Sequence, residues 1–275
     1  MATYSLRMEI GKIGMKGVAD FLEELGIKFV EINNTLTKSK KLKENAELFK
    51  KRGITPVLLT IDGNNFFVPS GDEKGHKKQM EFMKPWLDAA KEAGISIVRA
   101  NMGHGVDLWP APPRDMYDDE EEYQEDMEEY NGEFDRIMRD IVETFKPIQE
   151  YAESLGITFT FENHGGPSSN VDFQVKFKEH FPSDKMGFLL DTGNYKPKDE
   201  VYENIGKLGD SIKIIHAKTY DFDENGEETQ LDFKRIIAEL KEVGYDGYYS
   251  IEFEGEMNAR EGVKKTLALL KKYLA

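Results

Sequence analysis

The sequence predicts a single α/β domain spanning residues 1–275, folded as a (β/α)₈ TIM barrel with a long acidic insertion after the fourth strand. A length of 275 residues is typical of such a barrel. Patterns typical of strands and of helices alternate from end to end, which favours a parallel sheet with crossover helices. No Gly-x-Gly-x-x-Gly follows the first predicted strand, and this argues against an open dinucleotide-binding sheet.

Each predicted strand is a short run of β-branched, aliphatic and aromatic residues. The strands are predicted at Ser5–Glu9, Lys28–Asn33, Thr55–Asp62, Ile95–Asn101, a central stretch from Thr158, Met186–Asp191, Ser211–Ala217 and Tyr248–Phe253. The helices between them carry apolar residues at helical spacing, as Val18, Phe21 and Leu22 do in the first. They are predicted at Gly14–Leu25, Ser39–Lys51, Glu73–Ala93, Glu133–Leu155, Asp172–His180, Asp199–Leu208, Asp232–Val243 and Arg260–Tyr273.

Four of the later strands end in an ionisable side chain. The central strand ends at Glu162, and the next three end at or near Asp191, His216 and Glu252. Active sites of barrels lie at the carboxyl ends of the strands, so we expect these four side chains to meet. Three carboxylates and one imidazole suit Mn²⁺, Mg²⁺ or Co²⁺, and Zn²⁺ also fits such a set. The sequence therefore predicts one divalent metal site, with Mn²⁺ as the first choice.

Several motifs around these residues resemble one known family. They are Phe161-Glu162-Asn163-His164-Gly165-Gly166, Leu190-Asp191-Thr192-Gly193-Asn194, His216-Ala217-Lys218, and Gly244-Tyr245-Asp246-Gly247 leading to Ser250-Ile251-Glu252. Over about residues 155–255 the chain resembles the xylose isomerase-like TIM-barrel family, also called sugar phosphate isomerases/epimerases. The resemblance implies that Glu162, Asp191, His216 and Glu252 bind the metal, and that the two glutamates act as acid and base. Many barrels of this family form dimers or tetramers, so the resemblance also makes a homo-oligomer a candidate assembly.

The predicted chemistry is proton abstraction next to a metal-bound carbonyl of a keto-sugar or cyclitol, giving an enediolate. Return of the proton to the opposite face is epimerisation, return to the neighbouring carbon is isomerisation, and loss of a β-hydroxyl is dehydration. The ligand set does not choose among them, so a lyase of inosose, dehydroshikimate or C-glycoside type stays open. Asn194 and Phe222 stand where the ketose 3-epimerases of the family have His and Arg.

Further site residues are predicted from their places near the strand ends. His164 and Lys218 each lie two residues beyond a ligand, so they share its inward face and are candidates for proton transfer and for holding a substrate oxygen. Candidate substrate contacts are Glu31, Asn33, His104, Trp109 and Asn194. For each of these positions a purely structural role, such as an ion pair or rim polarity, is the alternative.

Charge and composition exclude several partners and functions. The net charge is −15, and Asp115–Glu129 carries ten acidic and no basic residues. Such a charge repels nucleic acid and anionic membranes, which argues against an apurinic-site endonuclease. We expect the acidic run to be a solvated face or a lid, and to favour a neutral carbohydrate or polyol over a phosphorylated substrate. The absence of cysteine and of an apolar leader predicts a cytoplasmic protein. A barrel that binds without catalysing remains the alternative to an enzyme.

Overall fold

The structure is a computed structural model, and it describes residues 1–63, 73–103, 108 and 111–274. Strands and helices alternate as predicted. The strands are β1 Phe29–Asn33, β2 Thr55–Thr60, β3 Ile97–Ala100, β4 Thr158–Glu162, β5 Met186–Asp191, β6 Ile212–Thr219 and β7 Tyr248–Phe253. The helices are α1 Ile10–Glu24, α2 Ser39–Lys50, α3 Glu73–Ala93, α4 Glu120–Ser154, α5 Val171–Glu179, α6 Glu200–Leu208, α7 Phe233–Glu242 and α8 Ala259–Leu274.

The seven strands form one parallel sheet in sequence order, curled into a nearly closed barrel. Its two edge strands, β1 and β7, are joined by the first two residues of the chain. The Ala2 amide donates to the Ile251 carbonyl at 2.9 Å, and the Glu31 amide donates to the Met1 carbonyl at 2.9 Å. This segment takes the place of the remaining strand, and the predicted barrel fold is confirmed.

The prediction of a strand over Ser5–Glu9 is wrong. A 3₁₀ helix occupies Thr3–Leu6 instead, and Met8 is 84% exposed. The hydroxyl of Ser5 donates to the Ile251 carbonyl at 3.2 Å and accepts from the Phe253 amide at 3.0 Å, so a side chain supplies contacts that a ladder would make. The backbone thus leaves the sheet at Thr3, where the 3₁₀ helix begins, and α1 follows from Ile10.

The acidic run lies mostly in a helix rather than in a loop. Helix α4 spans 35 residues and begins at Glu120, not at the predicted Glu133. The carboxylate of Asp119 caps it by accepting from the amides of Glu121 and Glu122, and acidic residues in a first turn are stabilised by the helix dipole. No residue of α4 before Phe134 is buried. The first turns are therefore a solvated extension of a helix that packs on the barrel only farther along.

The outer faces of the strands pack on the helices, and this fixes which residues point into the barrel. On β4, Phe161 packs edge-on against Phe145 of α4 and Phe177 of α5, with ring centroids 5.0 and 5.1 Å away. Because side chains alternate along a strand, Thr160 and Glu162 face the interior.

Within the described residues, no helix combines the length and the apolar character needed to cross a membrane.

Candidate metal centre

The four predicted ligands meet at the carboxyl ends of β4–β7. Each is buried, and one ligand atom from each lies within 4.8 Å of the others. The strand register contributes directly, since Asp191 on β5 pairs with His216 on β6. Glu162 is the last residue of β4, and Glu252 is the last but one of β7.

The imidazole of His216 is held in one orientation by Glu31 of β1. Its Nε2 lies 2.9 Å from the Glu31 carboxylate, while its Nδ1 lies 3.5 Å from an oxygen of each of Glu162, Asp191 and Glu252. With Nε2–H donating to Glu31, the Nδ1 lone pair faces three carboxylates. That arrangement is repulsive unless a cation, either a proton or a metal ion, lies between them.

The charges around His216 also favour a cation at this place. Burial alone lowers the pKa of His216, but the charges of Glu31 and Glu252 outweigh burial, so that the pKa lies well above its ordinary range. Without another cation, the imidazole carries the compensating proton. The buried charges around it are the carboxylates of Glu31, Glu162, Asp191 and Glu252 and the cations of Arg99 and Lys218.

Three buried atoms of the cluster that lack a hydrogen bond fit a divalent cation. Asp191 Oδ2, His216 Nδ1 and Glu252 Oε2 form no hydrogen bond within the described residues, although the Lys218 ammonium is an ion-pair partner of the two oxygens. Buried polar atoms are rarely left this way, because each costs about 1–3 kcal/mol. Glu162 Oε2 also lacks a hydrogen bond to the described residues, although the Arg99 guanidinium is its ion-pair partner. An oxygen-rich set with one imidazole nitrogen suits Mn²⁺, Mg²⁺ or Co²⁺.

Lys218 places an ammonium beside the same oxygens. Its Nζ lies 3.1 Å from Asp191 Oδ2 and 3.0 Å from Glu252 Oε2, and β6 and β7 bring it opposite Glu252 in register. Burial lowers the pKa of Lys218, but the charges of Asp191 and Glu252 outweigh burial and raise it well above the ordinary value. The predicted inward position of Lys218 is thus observed, with an ion pair to two of the ligands.

Asn194 and His164 connect the cluster to a cavity of about 760 Å³ at the same end of the barrel, and both line that cavity. The Asn194 amide donates to Glu162 Oε1 at 3.2 Å and accepts from Lys218 Nζ at 2.9 Å. Burial, together with repulsion from Arg99 and Lys218, lowers the pKa of His164 to about 4. His164 is therefore neutral at neutral pH.

Glu31 and Asn33 lie at the strand ends as predicted, but both are occupied by protein partners. Glu31 accepts from the hydroxyls of Thr60 and Ser250 as well as facing His216. The Asn33 amide donates to Asp62 Oδ2 at 2.8 Å, and its oxygen accepts from Thr35. These contacts favour positioning roles over the predicted contacts with substrate hydroxyls. The other two predicted substrate contacts, His104 and Trp109, lie outside the described residues.

Two residues of the site were missed by sequence reasoning. Arg99 of β3 is buried, and its guanidinium forms ion pairs with Asp62, which follows β2, and with Glu162. Asp62 also accepts from Asn33 and Asn101. An arginine inside the four-residue strand Ile97–Ala100, all of it buried, was the available signal, because a buried cation requires a buried partner.

Similar proteins share only parts of their length with this chain. Over 218 residues it is 26% identical to the uncharacterized protein MJ1311 of Methanocaldococcus jannaschii, covering 74% of this chain and 65% of that one. Over 58 residues it is 45% identical to the C-glycoside deglycosidase alpha subunit of Arthrobacter globiformis, covering 21% and 16%. The chain thus aligns with less than two thirds of the length of these curated relatives.

Comparison of folds extends over almost the whole chain. The structure of an L-ribulose 3-epimerase superposes with a TM-score of 0.72 at 16% identity, covering 96% of this chain and 89% of that one. At such identity the similarity concerns the fold. A family model described as xylose isomerase-like TIM barrel matches residues 19–273. This chain belongs to the xylose isomerase-like TIM-barrel family.

Proposed function

We propose that the protein is a divalent-metal-dependent isomerase or epimerase of a keto-sugar or cyclitol, acting by proton abstraction next to a carbonyl. The observation that carries this proposal is the convergence of four buried ligand atoms, from Glu162, Asp191, His216 and Glu252, within 4.8 Å. These four residues would hold the cation, for which we propose Mn²⁺. When bound, a divalent cation supplies Lewis acidity that makes the hydrogen next to a carbonyl more acidic.

Glu162 and Glu252 are the proposed proton carriers. They stand on strands separated by β5 and β6, so their carboxylates can address a sugar carbon from two sides. Burial raises the pKa of Glu252, but the charges of Lys218 and His216 lower it well below the ordinary value. Glu252 is therefore ionised and is our choice for the base that removes the proton. Glu162, after taking up a proton from solvent, would return it on the other face, and Glu252 would release the abstracted proton to solvent before the next turnover.

Lys218 and His164 would assist from the rim of the cluster. The Lys218 ammonium is within hydrogen-bond distance of Asn194 and close to Glu252, so it can hold a substrate oxygen on which negative charge develops. The neutral imidazole of His164 can exchange a proton with a hydroxyl. Asn194 would orient both Glu162 and Lys218, and its amide can contact substrate from the cavity wall.

A lyase is the second candidate. It is supported by the short segment of 45% identity to a C-glycoside deglycosidase alpha subunit, a protein named for cleaving glycosides. Both reactions begin with the same proton abstraction, so the same Glu252 would serve either. They differ in the product, since an isomerase conserves the mass of its substrate and a lyase releases water or an aglycone.

The test is proton NMR in D₂O of the Mg²⁺-loaded protein with a panel of free ketoses and inososes. We expect one hydrogen next to the carbonyl to exchange with solvent while a new epimer or aldose signal grows. A vinylic signal in place of the epimer would assign the lyase. Exchange should slow by about 10²–10⁴-fold in Glu252→Gln and persist in Glu256→Gln, which alters an exposed carboxylate of the loop after β7. Absence of exchange with every compound would contradict the proposed isomerase.

A further inference from the structure

We propose that the cavity of about 760 Å³ beside the metal centre is a subsite for a second, neutral and hydroxylated ring, so that a glycoside binds more tightly than a free monosaccharide. The inference rests on the proposed function, because it assumes that the sugar undergoing proton transfer lies at the four ligands. It adds a separate binding site for whatever is joined to that sugar.

The cavity has the size and the position needed to hold a second ring. Pockets that enclose drug-sized molecules measure about 300–1,000 Å³, and this one, at about 760 Å³, lies well within that range. None of the four ligands lines it. A sugar ring at the ligands would therefore leave the cavity available to another group.

The cavity adjoins the metal centre through two residues of its wall. Asn194 belongs to the cavity wall and hydrogen-bonds to Glu162, while His164 belongs to the wall and follows Glu162 by two residues. A bound molecule that reached Asn194 from the cavity would therefore already lie beside the carboxylate of Glu162. This adjacency fits one molecule that spans the centre and the cavity.

Two glycines form part of the cavity wall next to the metal centre. Gly165 and Gly166 line the cavity directly after His164, with φ of 80° and 59°. Such left-handed values are strained for residues with a Cβ atom. The turn of the backbone after β4, which shapes this part of the wall, therefore favours glycine at both positions.

The chemistry of the wall selects a neutral ring with hydroxyl groups. Tyr130 and Val171 offer apolar surface, and Ser169 and Asn170 offer hydrogen-bonding groups. The charges of the wall largely oppose one another, since Lys207 lies 2.8 Å from Glu203 and 3.9 Å from Asp172. Glu200 and Lys196 add one charge of each sign. A phosphate or other anion would find no excess of positive charge here.

The test compares matched glycosides by calorimetric titration of the Mg²⁺-loaded protein. The probes are methyl β-D-glucopyranoside, which lacks a second ring, phenyl β-D-glucopyranoside and cellobiose. We expect cellobiose, whose second ring is neutral and hydroxylated, to bind about tenfold more tightly than the methyl glycoside. A preference for the phenyl glycoside over cellobiose would contradict a hydroxylated second ring.

Two tryptophan substitutions on α5 provide the specificity control. Val171→Trp fills the cavity from its wall, whereas Val175→Trp adds the same side chain one turn farther along, at a position that is 37% exposed and outside the cavity wall. We expect Val171→Trp to abolish the advantage of the larger probes while leaving methyl glycoside binding unchanged. Val175→Trp should behave as the unmodified protein does.

The result that would overturn the subsite is equal affinity for all three probes, no binding of any probe, or an advantage that survives in Val171→Trp. Because binding is measured without turnover, this outcome is separate from failure of the proposed function. Normal ring-dependent binding with no proton exchange would retain the subsite and reject the isomerase. Proton exchange with free ketoses and no ring-dependent binding would do the reverse.

Discussion

Buried carboxylates differ in their hydrogen-bond partners between two halves of the barrel mouth. In the network half, formed by the ends of β1–β3, every oxygen of the Glu31 and Asp62 carboxylates has a partner in the protein. In the ligand half, formed by the ends of β4–β7, one oxygen each of Glu162, Asp191 and Glu252 makes no hydrogen bond within the described residues and has only an ion pair with Arg99 or Lys218. The hydrogen bonds of the network half are complete as folded, while the ligand half could hold a further cation.

This difference separates a structural from a functional use of the same residue types. A buried carboxylate with all its hydrogen bonds made holds its neighbours in place, as Glu31 holds His216. A group of carboxylates that share few cations and keep oxygens without a hydrogen bond costs stability, and such costs are typical of functional sites. The comparison predicts that substitutions in the two halves will respond differently to metal.

The largest effect is expected in the ligand half, for Glu252→Gln. The amide keeps the shape of the side chain but removes both the negative charge and the basic oxygen. We expect the rate of proton exchange to fall by about 10²–10⁴-fold, the usual contribution of a general base, and metal affinity to fall with it. The measurements are exchange by NMR and calorimetric titration with Mn²⁺. Equal loss in Glu256→Gln would show that the effect is not specific to the centre.

In the network half, the largest expected effect is on stability, for Arg99→Gln. The substitution leaves Asp62 and Glu162 without their shared cation, and removal of one partner of a buried ion pair typically costs about 3–5 kcal/mol. The free energy of unfolding in urea with EDTA measures this cost. Arg136→Gln, which removes exposed ion pairs on α4, is the control and should cost less than about 1 kcal/mol. Similar losses in both variants would contradict the role of Arg99.

Glu31→Gln tests whether the network half serves the ligand half. Partners that orient a metal-binding histidine typically contribute about 10–100-fold to metal affinity, and we expect a loss of that size in Mn²⁺ titration. Ser250→Ala removes one hydrogen bond to Glu31 but leaves its contact with His216, so it should cause a smaller loss. Unchanged affinity in Glu31→Gln would mean that the two halves act independently.

The residues of the ligand half could be predicted from the sequence because the carboxyl ends of parallel strands meet at one edge of the sheet. Glu162, Asp191, His216 and Glu252 could be aligned from strand ends alone, without knowledge of any side-chain contact. The helices and the later strands were predicted for a similar reason, since their apolar periodicity is local. The strand predicted at Ser5–Glu9 was wrong because a short alternating segment does not distinguish a strand from a 3₁₀ turn.

The network half could not be predicted, because its contacts cross between distant segments. Glu31 and His216 are 185 positions apart, and their contact depends on how the ring closes. Periodicity placed Glu31 on the inward face but could not name its partner. Likewise, a buried strand containing Arg99 indicates that a carboxylate is near, without identifying Asp62 or Glu162.

The smallest expected effect, for Lys218→Met, is an increase in metal affinity. The ammonium of Lys218 lies within hydrogen-bond distance of Asp191 and Glu252, so it opposes a second cation at the same oxygens. Unit charges 4 Å apart interact by about 1–4 kcal/mol at effective dielectric constants between 80 and 20. Lys218 can retreat toward Glu254, which lies 3.7 Å away, so we expect the lower end of that range, about fivefold tighter Mn²⁺ binding.

The matched control is Lys213→Met, which alters a lysine of the same strand that donates to the Asp210 carbonyl away from the centre. It should leave Mn²⁺ affinity unchanged. If Lys218 also holds the developing charge of the substrate, Lys218→Met will bind metal more tightly and yet exchange the substrate hydrogen more slowly. Weaker metal binding in Lys218→Met would instead mean that the ammonium holds Asp191 and Glu252 in position for the cation, and Lys218 would then belong with the network half.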